Sequence, residues 1–349
     1  MKFFRQGDIE EIIQSLSIDI NSLINTNIII SGGLGFIGKY ILQSLINLKK
    51  INNIKFTIYA VDNFITSDNN SVQHFVDQGV IFLNHDINNE LKIDINFNYL
   101  ISLAGIASPY YYKAHPMETL DVSINGLKNM FRLKHNNDSK FIFFSSSEIY
   151  GDPPDNQIPT KETYRGNVTS IGPRSCYDES KRVGETICYI YSNFFEKRTA
   201  IIRPFNVFGP GTLIDDYRII PNITRALVFN EELKIYDKGN QTRTYCYITD
   251  AINGFFSVIF KDEKFGVYNI GNDQNEISVL ELVKVTEQVM NTNLNYKITQ
   301  YPKSYPPDQP QRRCPDISSA RKNLKYEPKV SLQEGLKRHF DFSIDFFKS

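Results

Sequence analysis

The segment Ile28-Ile29-Ile30-Ser31-Gly32-Gly33-Leu34-Gly35-Phe36-Ile37-Gly38 constrains this chain more than any other, because an apolar run breaks into glycines three residues apart before apolar residues resume at helical spacing. That order is a strand, a tight turn and a helix. Gly32 permits the turn, Gly35 lets backbone N–H groups approach a pyrophosphate, and Gly38 lets the helix lie close on the strand. A diphosphate then meets the positive end of a helix that opens with Phe36 and Ile37, so a dinucleotide is the expected ligand. The spacing is GxxGxxG rather than GxGxxG, and glycine clusters also make plain turns, so the neighbouring elements have to be read with it. A second apolar run, 56–61, ends in Asp62-Asn63, where an acidic side chain after the second strand hydrogen-bonds an adenosine ribose. Asp62 favours NAD over NADP; its plain alternative is a turn residue capping a loop.

Strand-like runs at 28–31, 56–61, 80–83, 99–103, 140–145 and 199–203 alternate with helix-like segments, which predicts a Rossmann-type doubly wound α/β fold on a parallel sheet. Asp86-Ile87 and Leu103-Ala104, beyond the third run and closing the fourth, complete the candidate cofactor site. After Pro204 the sequence grows richer in Pro, Gly and Asn, with helical stretches near 219–229, 249–260, 278–290 and 331–347; this half reads as a smaller C-terminal α/β substrate-binding lobe. Ile9, Ile12, Ile13, Leu16 and Ile20 predict a short amphipathic helix within residues 8–25. The expected division is a helical extension over 1–26, a cofactor unit over 27–205 to which part of 245–275 returns, and the substrate lobe over 206–349. The Pro-rich piece from Tyr301 to Pro307 reads as a surface loop.

Composition narrows the partners. Lys plus Arg and Asp plus Glu both number 39, so nothing marks a surface for nucleic acid or an anionic membrane. Cys176, Cys188, Cys246 and Cys314 form no CxxC pair, which argues against a zinc site and a disulfide framework, and no metal is expected. No apolar run reaches the length of a membrane span and the first residues lack a signal-peptide core, so the expected location is the cytoplasm.

The fifth strand runs into Ser145-Ser146-Ser147-Glu148-Ile149-Tyr150-Gly151-Asp152-Pro153, placing hydroxyls and a carboxylate where open α/β sheets bind ligands. Further on, Tyr177 and Lys181 lie four apart on one helix face. A nearby ammonium and a positive nicotinamide would pull a tyrosine pKa from near ten toward neutrality and make the phenol a general base. Most YxxxK matches are plain helix surface, and the glycine turn and serine-tipped strand give this one its weight.

With these residues in hand, the chain resembles the extended short-chain dehydrogenase/reductase family and, within it, the nucleotide-sugar enzymes, from about residue 27 to the C-terminus. Val61-Asp62-Asn63-Phe64, Ala107-Ser108-Pro109, the Ser147-to-Pro153 run, Gly172-Pro173-Arg174-Ser175-Cys176-Tyr177-Asp178-Glu179, Gln241-Thr242-Arg243 and Arg313-Cys314-Pro315-Asp316-Ile317 are most similar to the UDP-glucuronate decarboxylase branch. The resemblance implies NAD as cofactor and a UDP-glucuronate substrate oxidised at C4 by Tyr177, with Ser146 assisting and Lys181 supporting phenol and cofactor. It implies loss of carbon dioxide from the resulting β-keto acid, with Glu148 and Arg313 at the carboxyl-bearing carbon, and then reduction to UDP-xylose. It places Tyr112, Asn206, Arg218, Arg243 and Arg313 on the nucleotide sugar, and it implies a homodimer through the Tyr/Lys helix, with Ile187, Ile190 and Phe194 suited to that surface. Related 4,6-dehydratases carry an Asp-Glu pair where this chain has Ser147-Glu148, and a serine is too weak an acid to expel a hydroxyl. A dehydratase, a 4-epimerase and a non-catalytic NAD-binding regulator remain the alternatives. Ser123, in place of an asparagine, and the loop Gly211-Thr212-Leu213-Ile214, in place of a more basic one, depart from the family pattern.

Overall fold

The computed structural model describes residues 3–214, 216, 218–301 and 309–348, so positions 302–307 of the Pro-rich piece lie outside the described residues. Parallel strands buried on both faces need near-continuous apolar runs, and this chain supplies them in β1 (Asn27–Ser31), β2 (Thr57–Asp62), β3 (Val80–Asn84), β4 (Phe97–Ser102), β5 (His135–Phe144), β6 (Arg198–Pro204) and β7 (Phe265–Ile270). They form one sheet in the order β7-β6-β5-β4-β1-β2-β3, with every neighbouring pair parallel. The order reverses between β1 and β4, the place where such sheets open a ligand crevice.

Side chains alternate across the sheet as a period of two requires. Ile28 and Ile30 join Ile142, Phe144, Ala200 and Ile202 in one core, while Ile29 joins Phe141, Phe143 and Ile201 in the other. The first core is covered by α1 (Gln6–Ser15), α2 (Phe36–Ile51) and a later helix, Ile248–Ile259; the second is covered in part by the long helix Ser175–Phe194. The latter two are called α4 and α3 in chain order. The N-terminal helix ends at Ser15, short of the stretch read from the sequence, and a separate single turn, Ile20–Leu23, leads into β1.

Beyond β6 the chain builds the walls of a second region. Helix Ile219–Phe229 is followed by strand Leu233–Tyr236, which pairs with Tyr296–Thr299. The short strands Thr242–Arg243, Ile277–Ser278 and Arg312–Arg313 make a small sheet of their own. Between these pieces the chain re-enters the main sheet through α4 and β7. Helix Val279–Met290 starts at a capping box, in which Ser278 accepts the Glu281 N–H and Glu281 accepts the Ser278 N–H.

Candidate active site

Two adjoining cavities open at the carboxyl ends of the strands. The first, of about 250 Å³, is lined by every residue read as cofactor-binding on the glycine turn and strand tips: Gly32, Gly35, Phe36, Ile37, Gly38, Asp62, Asn63, Asp86, Ile87, Leu103 and Ala104. Its floor is backbone. Gly32 has φ +75, and a Cβ there would stand 2.7 Å from the Ala104 backbone. At Gly38 a Cβ would meet the Gly32 and Gly33 carbonyl oxygens at 2.5 Å, so only glycine lets α2 start so close to β1. The Asp62 carboxylate is set by its neighbours: Oδ2 accepts the Leu34 N–H at 3.0 Å, and Oδ1 accepts the Phe64 N–H at 3.1 Å and the Ser67 hydroxyl at 2.7 Å. Oδ2 keeps acceptor capacity for a ribose hydroxyl, and its charge disfavours a 2′-phosphate. A glycine-walled helix start with an acidic residue at the second strand tip fits NAD.

The second cavity, of about 350 Å³, shares Phe36, Ile37, Leu103 and Ala107 with the first and is lined by Ser146, Ser147, Glu148, Tyr177, Lys181, Asn206, Arg218, Arg243 and Arg313. Residues from distant parts of the chain meet here for local reasons. Ser146 leaves β5 in extended conformation and caps the single turn Ser147–Tyr150, its Oγ accepting the Glu148 N–H at 3.2 Å. That same hydroxyl hydrogen-bonds Tyr177, which enters from the first turn of α3. Four residues on, the Lys181 Nζ donates to the Phe144 carbonyl at 2.9 Å and lies 5.9 Å from the Tyr177 ring centroid.

Burial is the largest influence on Tyr177 within the protein itself. Burial pushes its phenol up to about 12 despite the Ser146 hydrogen bond, and burial likewise pulls Lys181 down to about 8. Within the protein alone the phenol thus stays above its ordinary value. Glu148 is the reverse case. Burial would raise it, but the Arg313 and Arg174 guanidiniums outweigh burial and hold it at about 2. Arg313 grips both Glu148 oxygens, with Nη2 donating to Oε2 at 2.8 Å, and Arg174 pairs with that same Oε2.

The remaining predicted residues are placed less directly. The Asn206 amide donates to the Thr244 carbonyl at 2.8 Å, Arg218 pairs with Asp216 at 2.7 Å, and Arg243 donates to the carbonyls of Thr242, Pro310 and Gln311. Tyr112 does not line either cavity. It is 1% exposed and stacks behind Tyr177 with centroids 5.9 Å apart, whereas Tyr111 reaches the cofactor cavity. On α3, Ile187 belongs to the core, whereas Ile190 and Phe194 are exposed. Arg174 carried no role in the sequence reading, although its spacing of four from Asp178 was visible there. Tyr236, Gln241 and Tyr245 were also missed as cavity walls.

The pattern of the NAD dependent epimerase/dehydratase family matches residues 28–271. The chain belongs to that family. Its cofactor is NAD, in keeping with the glycine-walled first cavity. Among curated members, UDP-glucuronic acid decarboxylase 5 of Arabidopsis thaliana is 35% identical over 89% of this chain and 87% of its own length. UDP-glucuronic acid decarboxylase 1 of Xenopus tropicalis is 35% identical over 92% of this chain and 72% of its own. Of solved family structures, a UDP-glucuronic acid 4-epimerase mutant from Bacillus cereus, in complex with UDP-4-deoxy-4-fluoro-glucuronic acid and NAD, superimposes with a TM-score of 0.76 at 25% identity, covering 92% of this chain and 99% of that one. Among the described residues, no helix is long and apolar enough to cross a membrane.

Proposed function

We propose that this family member is an NAD-dependent UDP-glucuronate decarboxylase that forms UDP-xylose and carbon dioxide through a 4-keto sugar. The observation that carries the reading is the cluster at the tip of β5: one carboxylate, Glu148, flanked by two guanidiniums, with a serine where an acid would stand. Arg174 shares the hold on Glu148, and Arg313, which lines the cavity, offers a guanidinium fork suited to a sugar bearing its own carboxylate. Ser147, at the cavity wall, offers no acid to expel a 6-hydroxyl. The 35% identity to curated decarboxylases over most of the chain supports the same conclusion.

NAD held by the glycine turn and Asp62 would supply hydride acceptance at sugar C4, return of the hydride at the end, and a positive charge near Tyr177. Tyr177 takes the 4-hydroxyl proton, with Ser146 orienting the phenol and Lys181, under both ring and strand tip, stabilising the phenolate. The sugar C5–carboxylate bond then breaks, its electron pair moves into the C4 ketone, and the Tyr177 hydroxyl donates to the enolate oxygen. Glu148 and Arg313 hold the carboxyl-bearing carbon and guide a solvent proton to C5. One proton is therefore taken up per carbon dioxide released. Asn206, Arg218 and Arg243 are assigned to the nucleotide diphosphate, and Tyr112 to support of Tyr177 from behind.

We assign residues 27–205 and the returning α4–β7 segment to the cofactor half, the rest of 206–349 to the sugar half, and 1–26 to a helical extension. The enzyme acts as a cytoplasmic homodimer; exposed Val183, Tyr189, Ile190 and Phe194 on α3 supply an apolar face for the second copy. Incubating purified protein with UDP-glucuronate and catalytic NAD, followed by mass spectrometry and proton NMR, tests the chemistry. UDP-xylose is the expected product; UDP-galacturonate would make the protein a 4-epimerase, and unchanged UDP-glucuronate with dehydration of a UDP-hexose would make it a dehydratase.

A further inference from the structure

Two arginines share one carboxylate at the tip of β5, and they are anchored differently. Arg313 comes from the short strand Arg312–Arg313, which pairs with Thr242–Arg243 in the sugar half. Its grip on Glu148 therefore spans the two halves of the molecule. Arg174 stands at the start of α3, immediately before Ser175, and its side chain is 7% exposed. One end of its guanidinium pairs with Glu148, and its Nε donates to Asp178 Oδ2 at 3.3 Å, one helical turn on. Both partners of Arg174 thus belong to the half that carries Tyr177 and Lys181. Glu148 and Arg313 line the sugar cavity; Arg174 does not.

Asp178 is committed to this contact. Its other oxygen, Oδ1, is buried without a hydrogen-bond partner, so the carboxylate serves the guanidinium alone among the described residues. The charges facing Asp178 are Arg174, Glu148 and Arg313; those facing Glu148 are Arg313, Arg174 and Arg243. A substrate carboxylate entering the cavity competes with Glu148 for Arg313. A buried carboxylate whose only cation turns away is left uncompensated and is drawn out of place. A second, fixed cation holds it.

We propose, resting on the decarboxylase reading, that Arg174 is a positioning residue: it ties the Glu148 carboxylate to the helix bearing Tyr177 and Lys181 and so keeps that carboxylate in place when Arg313 turns to the carboxylate of the sugar. Arg174 then acts wholly through Glu148. Its removal leaves substrate binding intact and misplaces the group beside the carbon that loses carbon dioxide.

The test is a double-mutant cycle on purified enzyme with NAD and UDP-glucuronate, comparing Arg174→Gln, Glu148→Gln and the double variant for kcat, KM, NAD affinity and thermal midpoint. Arg174→Gln is expected to lower kcat by about tenfold or more with KM and NAD affinity near those of the parent, and to add no loss in the Glu148→Gln background. Arg174→Lys is expected to recover part of kcat. An equal loss of kcat in both backgrounds overturns the proposal, as does a lowered midpoint with unchanged kcat per folded enzyme. If Arg174→Gln does not fold, Asp178→Asn carries the test through the weakened Nε anchor: a kcat loss at constant KM supports the proposal and parent-like turnover overturns it. A parent enzyme that leaves UDP-glucuronate unchanged refutes the decarboxylase reading itself, a result distinct from a failed cycle.

Discussion

The two cavities meet at a shared wall but are made of different material. The cofactor side is shaped by backbone: two glycines that admit no Cβ, a helix start and strand tips. On the sugar side the shape comes from side chains, with Glu148 from the β5 turn, Tyr177 and Lys181 from α3, and Arg243 and Arg313 from a three-stranded sheet formed late in the chain. A site made of backbone tolerates little change in one residue type, whereas a site made of side chains can exchange one contributor and alter its chemistry. That contrast explains how family members keep one cofactor and act on sugars in different ways.

Substitutions on each side should therefore separate. The largest expected effect is at Tyr177→Phe, which removes the phenol assigned above as proton acceptor and lowers kcat by ~10³ while NAD affinity stays within error. Calorimetric titration with NAD alongside turnover checks it, and a parallel loss of NAD affinity would break the separation. Next is Lys181, which sits at the border. Its folded value of about 8 lies below the ordinary 10.5, so between those values the unfolded chain binds more protons than the native one. Stability from this group accordingly rises with pH across that interval, by up to ~3 kcal/mol, and Lys181→Met should flatten the rise in urea midpoints measured there. The smallest effect is at Gly38→Ala. The added Cβ meets two carbonyl oxygens at 2.5 Å, and a cost of about 2 kcal/mol corresponds to ~30-fold weaker NAD binding, with kcat at saturating NAD little changed.

The same contrast sets what could be read from the sequence. The strands at 28–31, 80–83 and 199–203 were legible because each is an apolar run bounded by a turn, and the structure extends them by a residue or so. Helix 219–229 was likewise read at its full length. The glycine turn announced a helix start because spacing alone encodes backbone shape. Tyr112 shows the limit. Three consecutive tyrosines are chemically equal, and only the direction of the core, set by distant segments, buries Tyr112 and leaves Tyr110 53% exposed. Arg174 was hidden for a similar reason: its spacing from Asp178 was visible, but its bond to Glu148, 26 residues upstream, exists only once α3 lies beside the β5 turn. Tyr177 is expected to be activated by Lys181 together with a positive nicotinamide; within the protein the lysine is turned to the Phe144 carbonyl and burial dominates both groups, a balance that spacing alone does not reveal.

The sheet's last strand also bears on how the protein is made. As the chain emerges from the ribosome, the glycine turn and the Tyr/Lys helix appear well before residue 265, and β6 stays an open edge until β7 arrives beside it. A nascent or truncated chain ending near residue 245 would hold Tyr177, Lys181 and the glycine turn while presenting an unpaired strand, a template for aggregation. Because α4 and β7 return to the main sheet between the pieces that wall the second cavity, no single cut in the backbone separates the walls of one cavity from those of the other.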